Sequence, residues 1–187
     1  MAIKTMTGGN SGQNPYARGW HTATIKSAEE GKWNDTKYID VRFENYNDYF
    51  KLRVYERHNK ETNEEFAIAR LFKFANAGII SVLEDQTGNK PVIQYDDDVA
   101  GLVGKKLNIY VVDNKKNSEF AAVWDRYAPV AQEGEHISYS DDDVAFWKKQ
   151  AEDNHAEYGK VTNEDKTEDW VHKNSTQTTA PTEEMPF

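Results

Sequence analysis

The sequence predicts a mainly β fold: a five-stranded, partly open barrel in the order β-β-β-α-β-β, with one helix between its third and fourth strands. Three observations predict it. Five segments alternate apolar and polar residues with period two, as half-buried strands do. A single stretch, between the third and fourth of them, switches to helical spacing. Short turn-forming stretches, rather than long crossovers, separate most of the strands.

Met1 to Gly19 is rich in Gly, Asn and Ser and reads as a flexible arm. Trp20 to Ala28 is the first strand, with His21, Ala23 and Ile25 on one face and Trp20, Thr22, Thr24 and Lys26 on the other. Glu29 to Asp35 reads as a loop carrying Lys32 and Trp33. Thr36 to Phe43 is the second strand, with Ile39, Val41 and Phe43 inward and Tyr38, Asp40 and Arg42 outward. Asn45 to Asp48 is an Asn-rich turn that makes a hairpin with the third strand, Asp48 to Glu56. Thr62 with Glu65 has capping-box spacing. After it, Ile68, Leu71, Phe72, Ala75, Ile79 and Val82 predict a helix over 63–83, which Gly78 weakens near its end. Pro91 to Asp98 reads as irregular or a short strand. Lys105 to Val112 is the fourth strand, Asp113 to Ser118 a turn with Lys115 and Lys116, and Glu119 to Tyr127 the fifth strand, ended by Pro129. Ser140 to Asp143 starts a further helix, since acids suit a helix N-terminus.

This order is that of an OB-fold, in which the outer face of the second and third strands is the usual ligand platform. The domain reading is therefore an arm over 1–19, the barrel over 20–132, a linker and helix over 133–158, and a disordered acidic tail over 159–187, where Thr, Asn, Glu and Asp dominate.

Charge divides along the same boundaries. The 187 residues carry a net charge of −9, and residues 133–187 hold 14 acidic and 5 basic side chains, which accounts for all of it. The remaining 132 residues hold 18 of each sign, so a basic groove on a neutral body is compatible with the acidic total. There are no cysteines, which excludes thiolate metal sites and disulfides and fits a cytoplasmic protein. No secretory signal and no membrane-spanning segment is expected. His21, His58, His136, His155 and His172 have no metal-ligand spacing, and no nucleophile or phosphate-loop motif is present. The triplets Asp96–Asp98 and Asp141–Asp143 lack the spacing of a metal loop. The expectation is a protein without catalytic residues, cofactor or metal. A metal-dependent nuclease built on the triplets is an alternative, and its test is Mg²⁺- or Mn²⁺-dependent cleavage of labelled single strands.

The third strand supplies the candidate site. Its outer face presents Tyr49, Lys51, Arg53 and Tyr55, two aromatics flanking two cations. Tyr38 and Arg42 of the second strand share that face, and the loop residues Lys32, Trp33, Lys115 and Lys116 would rim it. Aromatic faces stack bases of any identity, and the cations hold phosphates. An ordinary amphipathic strand explains the tyrosines and cations equally well in isolation; Trp33, in a polar loop, has little structural reason to be there. Trp20, Trp124 and Tyr127 fit either the site or the core.

The chain ends in Glu183, Glu184, Met185, Pro186 and Phe187: acids, an apolar pair, and a terminal carboxylate that a partner's cation and apolar pocket can hold. The barrel order and this tip together resemble single-stranded DNA-binding proteins of the replication type, whose bacterial members end in acids followed by Pro-Phe. A single barrel with a short arm and a long acidic tail is most similar to the bacteriophage versions. The resemblance implies a protein of the host cytoplasm that coats single-stranded DNA without sequence preference during replication, recombination or repair. It implies that the tail recruits replication and recombination proteins and competes with DNA for the groove, and it leaves room for a homo-oligomer. This tip departs from the bacterial pattern in having Glu for Asp, and Met185 where a small or branched residue is usual. It leaves Ser140 to Asn154 unmatched. An OB-fold adaptor binding a peptide on the same platform is the other reading.

Overall fold

A computed structural model describes residues 14–84 and 90–160. The described chain is mainly β. Seven strands, β1 (Gly19–Trp33), β2 (Thr36–Phe43), β3 (Lys51–Tyr55), β4 (Ile79–Leu83), β5 (Val92–Tyr95), β6 (Lys106–Asn114) and β7 (Asn117–Ala128), accompany two α-helices, α1 (Ala67–Ala75) and α2 (Asp141–Tyr158). The five predicted strands form one antiparallel sheet in the order β3-β2-β1-β6-β7. β4 and β5 form a separate hairpin.

The long strand β1 makes this sheet curl. Its first part pairs with β6 from Gly19 to Thr24, and its second part pairs with β2 from Ile25 to Trp33. A register shift between Ile25 and Ser27 lies at the changeover, where an extra residue bends the strand. The edge strands β3 and β7 thereby approach each other. Arg57, just past β3, reaches Asp125 of β7 at 3.8 Å, and no ladder joins the two strands among the described residues. The result is barrel-like and open along one seam. Ile25, Ile39, Val41, Phe43, Leu52, Val54, Leu107, Ile109 and Val111 fill it, and Ile68, Leu71, Phe72 and Phe74 of α1 pack into the same core.

Several segments differ from the sequence expectation. The predicted loop over Glu29–Asp35 is strand as far as Trp33. Asn34 and Asp35 alone make the turn, both with positive φ (46° and 64°), a two-residue hairpin turn whose twist suits the flanking strands. The predicted helix over 63–83 stops at Ala75. Asn76 takes a left-handed conformation, and the amides of Asn76 and Ala77 bond to the carbonyls of Lys73 and Phe72. Ile79 and Val82, read as helical positions, belong instead to β4. Gly78 makes the switch possible: its φ is +62°, and a Cβ there would lie 2.4 Å from the Asp96 carbonyl oxygen. The cap also differs. Glu65, not Thr62, serves α1, its carboxylate accepting the amides of Ala67, Ile68 and Ala69 at 2.7–2.9 Å.

α2 packs on the barrel. Ser140 and Asp143 form a capping box at its start, which accounts for that acidic triplet. Val144 and Ala151 are buried, and Trp147 packs on Phe74 at 5.0 Å between ring centroids. The preceding Tyr139 bonds to the Lys73 carbonyl at 3.2 Å. Residues 14–18, expected as part of a mobile arm, are anchored: Tyr16 packs edge-on against Tyr46 and Phe50 and accepts the Asn47 amide.

Candidate nucleic-acid interface

Register brings most of the predicted platform onto one face. Across the sheet, Gly31, Tyr38 and Tyr55 form one row, Glu29, Asp40 and Arg53 the next, and Ser27, Arg42 and Lys51 the third. Trp33 lies two residues beyond Gly31 on the same face of β1, and 62% of it is exposed. Tyr49 sits just before β3 rather than within it and is 96% exposed. Trp33 and Tyr49 thus stand near opposite ends of β2, eight residues long, a span of about 26 Å at ~3.3 Å per residue.

Other predicted members fall elsewhere. Lys32 alternates to the opposite face, beside Lys37, which pairs with Glu30 at 2.7 Å. Lys115 and Lys116 form the β6–β7 turn. Lys115 lies 4.8 Å over Trp124, whose indole N–H donates to Asn154 of α2. Trp20 is likewise tied to α2 through Glu152 at 2.7 Å and stacks on Tyr110, while Tyr127 is buried in the core. The tip residues Glu183, Glu184, Met185, Pro186 and Phe187 lie outside the described residues.

The centre of the platform is an ion triad that alternation alone did not reveal. Asp40 is 5% exposed, although it points to the outer face. Arg53 grips it with Nε at 2.6 Å and Nη2 at 2.7 Å, and Lys51 Nζ approaches the same carboxylate at 2.6 Å. Burial pushes the Asp40 carboxyl up, but the bonds from Arg53 and Lys51 outweigh it and hold the group below the usual carboxylate range. Arg53 is raised in turn, chiefly by its bond to Asp40. Arg42 pairs with Glu29 at 2.9 Å. The cations here are therefore largely matched by acids, and their planes are fixed.

Gly31 and Tyr38 set the height of Arg53. The Arg53 guanidinium lies 4.0 Å from the Tyr38 ring centroid, within cation–π range. The phenol end of Tyr38 occupies the space a side chain at residue 31 would need, 2.2 Å from an ideal Cβ. Tyr38 thus carries Arg53, and Tyr55 and Trp33 stand on the same face of the sheet. Gly31→Val should displace Tyr38 and cost about 1–2 kcal/mol of stability, as overpacking does. Chemical denaturation would read that cost, and weakened ligand binding with every charge retained should accompany it.

Sequence reasoning passed over Asp40 and Gly31. The signal for Asp40 was its position opposite Arg53 in the β2–β3 hairpin. For Gly31 none was available without the two-residue turn that sets its partner.

Comparison of the chain with family models, curated proteins and solved structures gives no match.

Proposed function

We propose that this chain binds single-stranded DNA without sequence preference, through an OB-fold barrel, and acts without catalysis to coat replication, recombination or repair intermediates. The observation that carries this reading is the set of flat groups on one sheet face, with Arg53 fixed between Asp40 and Tyr38 beside Tyr55 and with Trp33 exposed on the same face. Exposed rings of this kind gain from stacking on unpaired bases, whereas a duplex hides its base faces. The strand pairing agrees with the OB order: β1 joins β2 on one side and β6 on the other, and α1 follows β3. In this reading the Glu183–Phe187 tip recruits partner proteins and its acids compete with DNA.

Titration of the chain with oligo-dT, followed by tryptophan fluorescence, tests the proposal. Quenching is expected with single strands, and much weaker binding with duplex of equal length. With Glu29 and Asp40 offsetting two of the cations Arg42, Lys51 and Arg53, the platform contributes a shallow slope of log K against log salt, about −0.7. Absence of binding to single strands at near-physiological salt, together with capture of a peptide on the same face, would replace this reading with the adaptor.

A further inference from the structure

The seam where β3 and β7 fail to pair is a cleft of about 430 Å³. Four arginines line it, Arg53, Arg57, Arg70 and Arg126, against one acid, Asp125. Arg53 is already committed to Asp40. Arg57 meets Asp125 only loosely, at 3.8 Å, with both side chains about half exposed. Arg70 and Arg126 have no carboxylate within 4.0 Å among the described residues. Arg70 lies 5.7 Å from the Phe66 ring centroid and 5.5 Å from that of Trp147, so its plane is held by aromatics rather than by an acid. Burial, and then the like charges of Arg126 and Arg57, lower its affinity for its proton. Three converging guanidiniums with one loose counter-charge in a concave, half-apolar site lack an oxyanion of the kind guanidiniums hold in paired hydrogen bonds.

We propose that this cleft is a second binding site for the same strand, taking a phosphodiester group on Arg57, Arg70 and Arg126 and an adjoining base against Phe66, 39% of which is exposed. The inference rests on the single-stranded DNA reading above. Continuity with the platform is what selects a strand over other oxyanions: Arg53 and Tyr55 belong to both the outer face and the cleft lining. A strand crossing the rows from β1 to β3 leaves the sheet at its edge and meets the cleft next. The cleft supplies what the platform lacks, since Arg70 and Arg126 pair with no carboxylate among the described residues.

The test uses the full chain and two oligo-dT lengths, about 4 and about 16 nucleotides, the ends of the range one barrel covers. Arg57→Gln with Arg126→Gln should weaken binding of the longer oligonucleotide about tenfold. The same change should make its salt slope shallower by about 0.7, for the one phosphate no longer neutralised. Arg57→Lys with Arg126→Lys should keep most of the slope, and both variants should melt with the parent. If the Gln variant binds the longer strand with unchanged affinity and slope, while Trp33→Ala with Tyr49→Ala weakens it, the cleft site is wrong and the platform stands. If the parent chain binds neither length, both readings fall.

Discussion

Trp33→Ala combined with Tyr49→Ala is expected to weaken oligo-dT binding by about 2–6 kcal/mol, roughly 30- to 20,000-fold, at unchanged folding stability. The size follows from two stacking rings, each contributing about 1–3 kcal/mol by alanine substitution. Unchanged stability follows from their setting. Trp33 is 62% and Tyr49 96% exposed, so neither fills the core, and surface changes of this kind fall within about 0.5 kcal/mol. Two measurements decide it: fluorescence anisotropy of labelled oligo-dT for affinity, and urea unfolding for stability. Equal loss of both would mean the rings are structural. Intact binding in an intact fold would remove them from the site.

Asp40→Ala should have the opposite signature, a loss of folding stability of about 3 kcal/mol. This is the low end of the cost of breaking a buried ion pair, because Lys51 and Arg53 keep about a third of their side-chain surface in water while Asp40 keeps 7%. The alanine leaves two adjacent cations facing each other across a void. The pH dependence follows from the same geometry. The folded-state pKa of Asp40 is depressed, so its contribution is fully present above the ordinary carboxylate value of about 4 and is lost as pH falls through the lower folded value. Urea unfolding between neutral pH and about pH 2 should show the parent losing this increment. Asp40→Asn should start less stable and lack that part of the acid response. A variant as stable as the parent at neutral pH would show that the triad orders the side chains without stabilising the fold.

Much of the barrel was legible in the sequence because its strands are amphipathic and its turns short. β2 runs from Thr36 to Phe43 as alternation predicts, and the inward set Ile39, Val41, Phe43, Leu52 and Val54 is buried. The helix boundary was not legible. Ile79 and Val82 fit helical spacing and strand alternation alike, and only the backbone of Asn76 and Gly78 decides between them. The end of β1 was missed because Glu29–Trp33 carries charged groups on both faces, so no apolar alternation marks it. For the site, alternation grouped Tyr38, Arg42, Lys51, Arg53 and Tyr55 on one surface, and register agrees. What alternation cannot convey is ownership of a charge. Asp40 looks outward like its neighbours, yet depth and two cations make it the anchor of the face. The seam cations escaped notice because Arg57, Arg70 and Arg126 lie far apart in the chain and meet only where the barrel stays open.

The triad also bears on discrimination. A bare lysine–arginine surface attracts any polyanion, paired or unpaired, and ordinary ionic strength readily weakens that attraction. With Asp40 absorbing much of that field, little long-range attraction remains on this face. On the single-stranded DNA proposal, what persists is contact with a flat ring, which an unstacked base offers and a duplex hides. Near-neutrality at the centre of the platform would therefore act as a filter against duplex, rejecting it for want of accessible faces rather than by any clash.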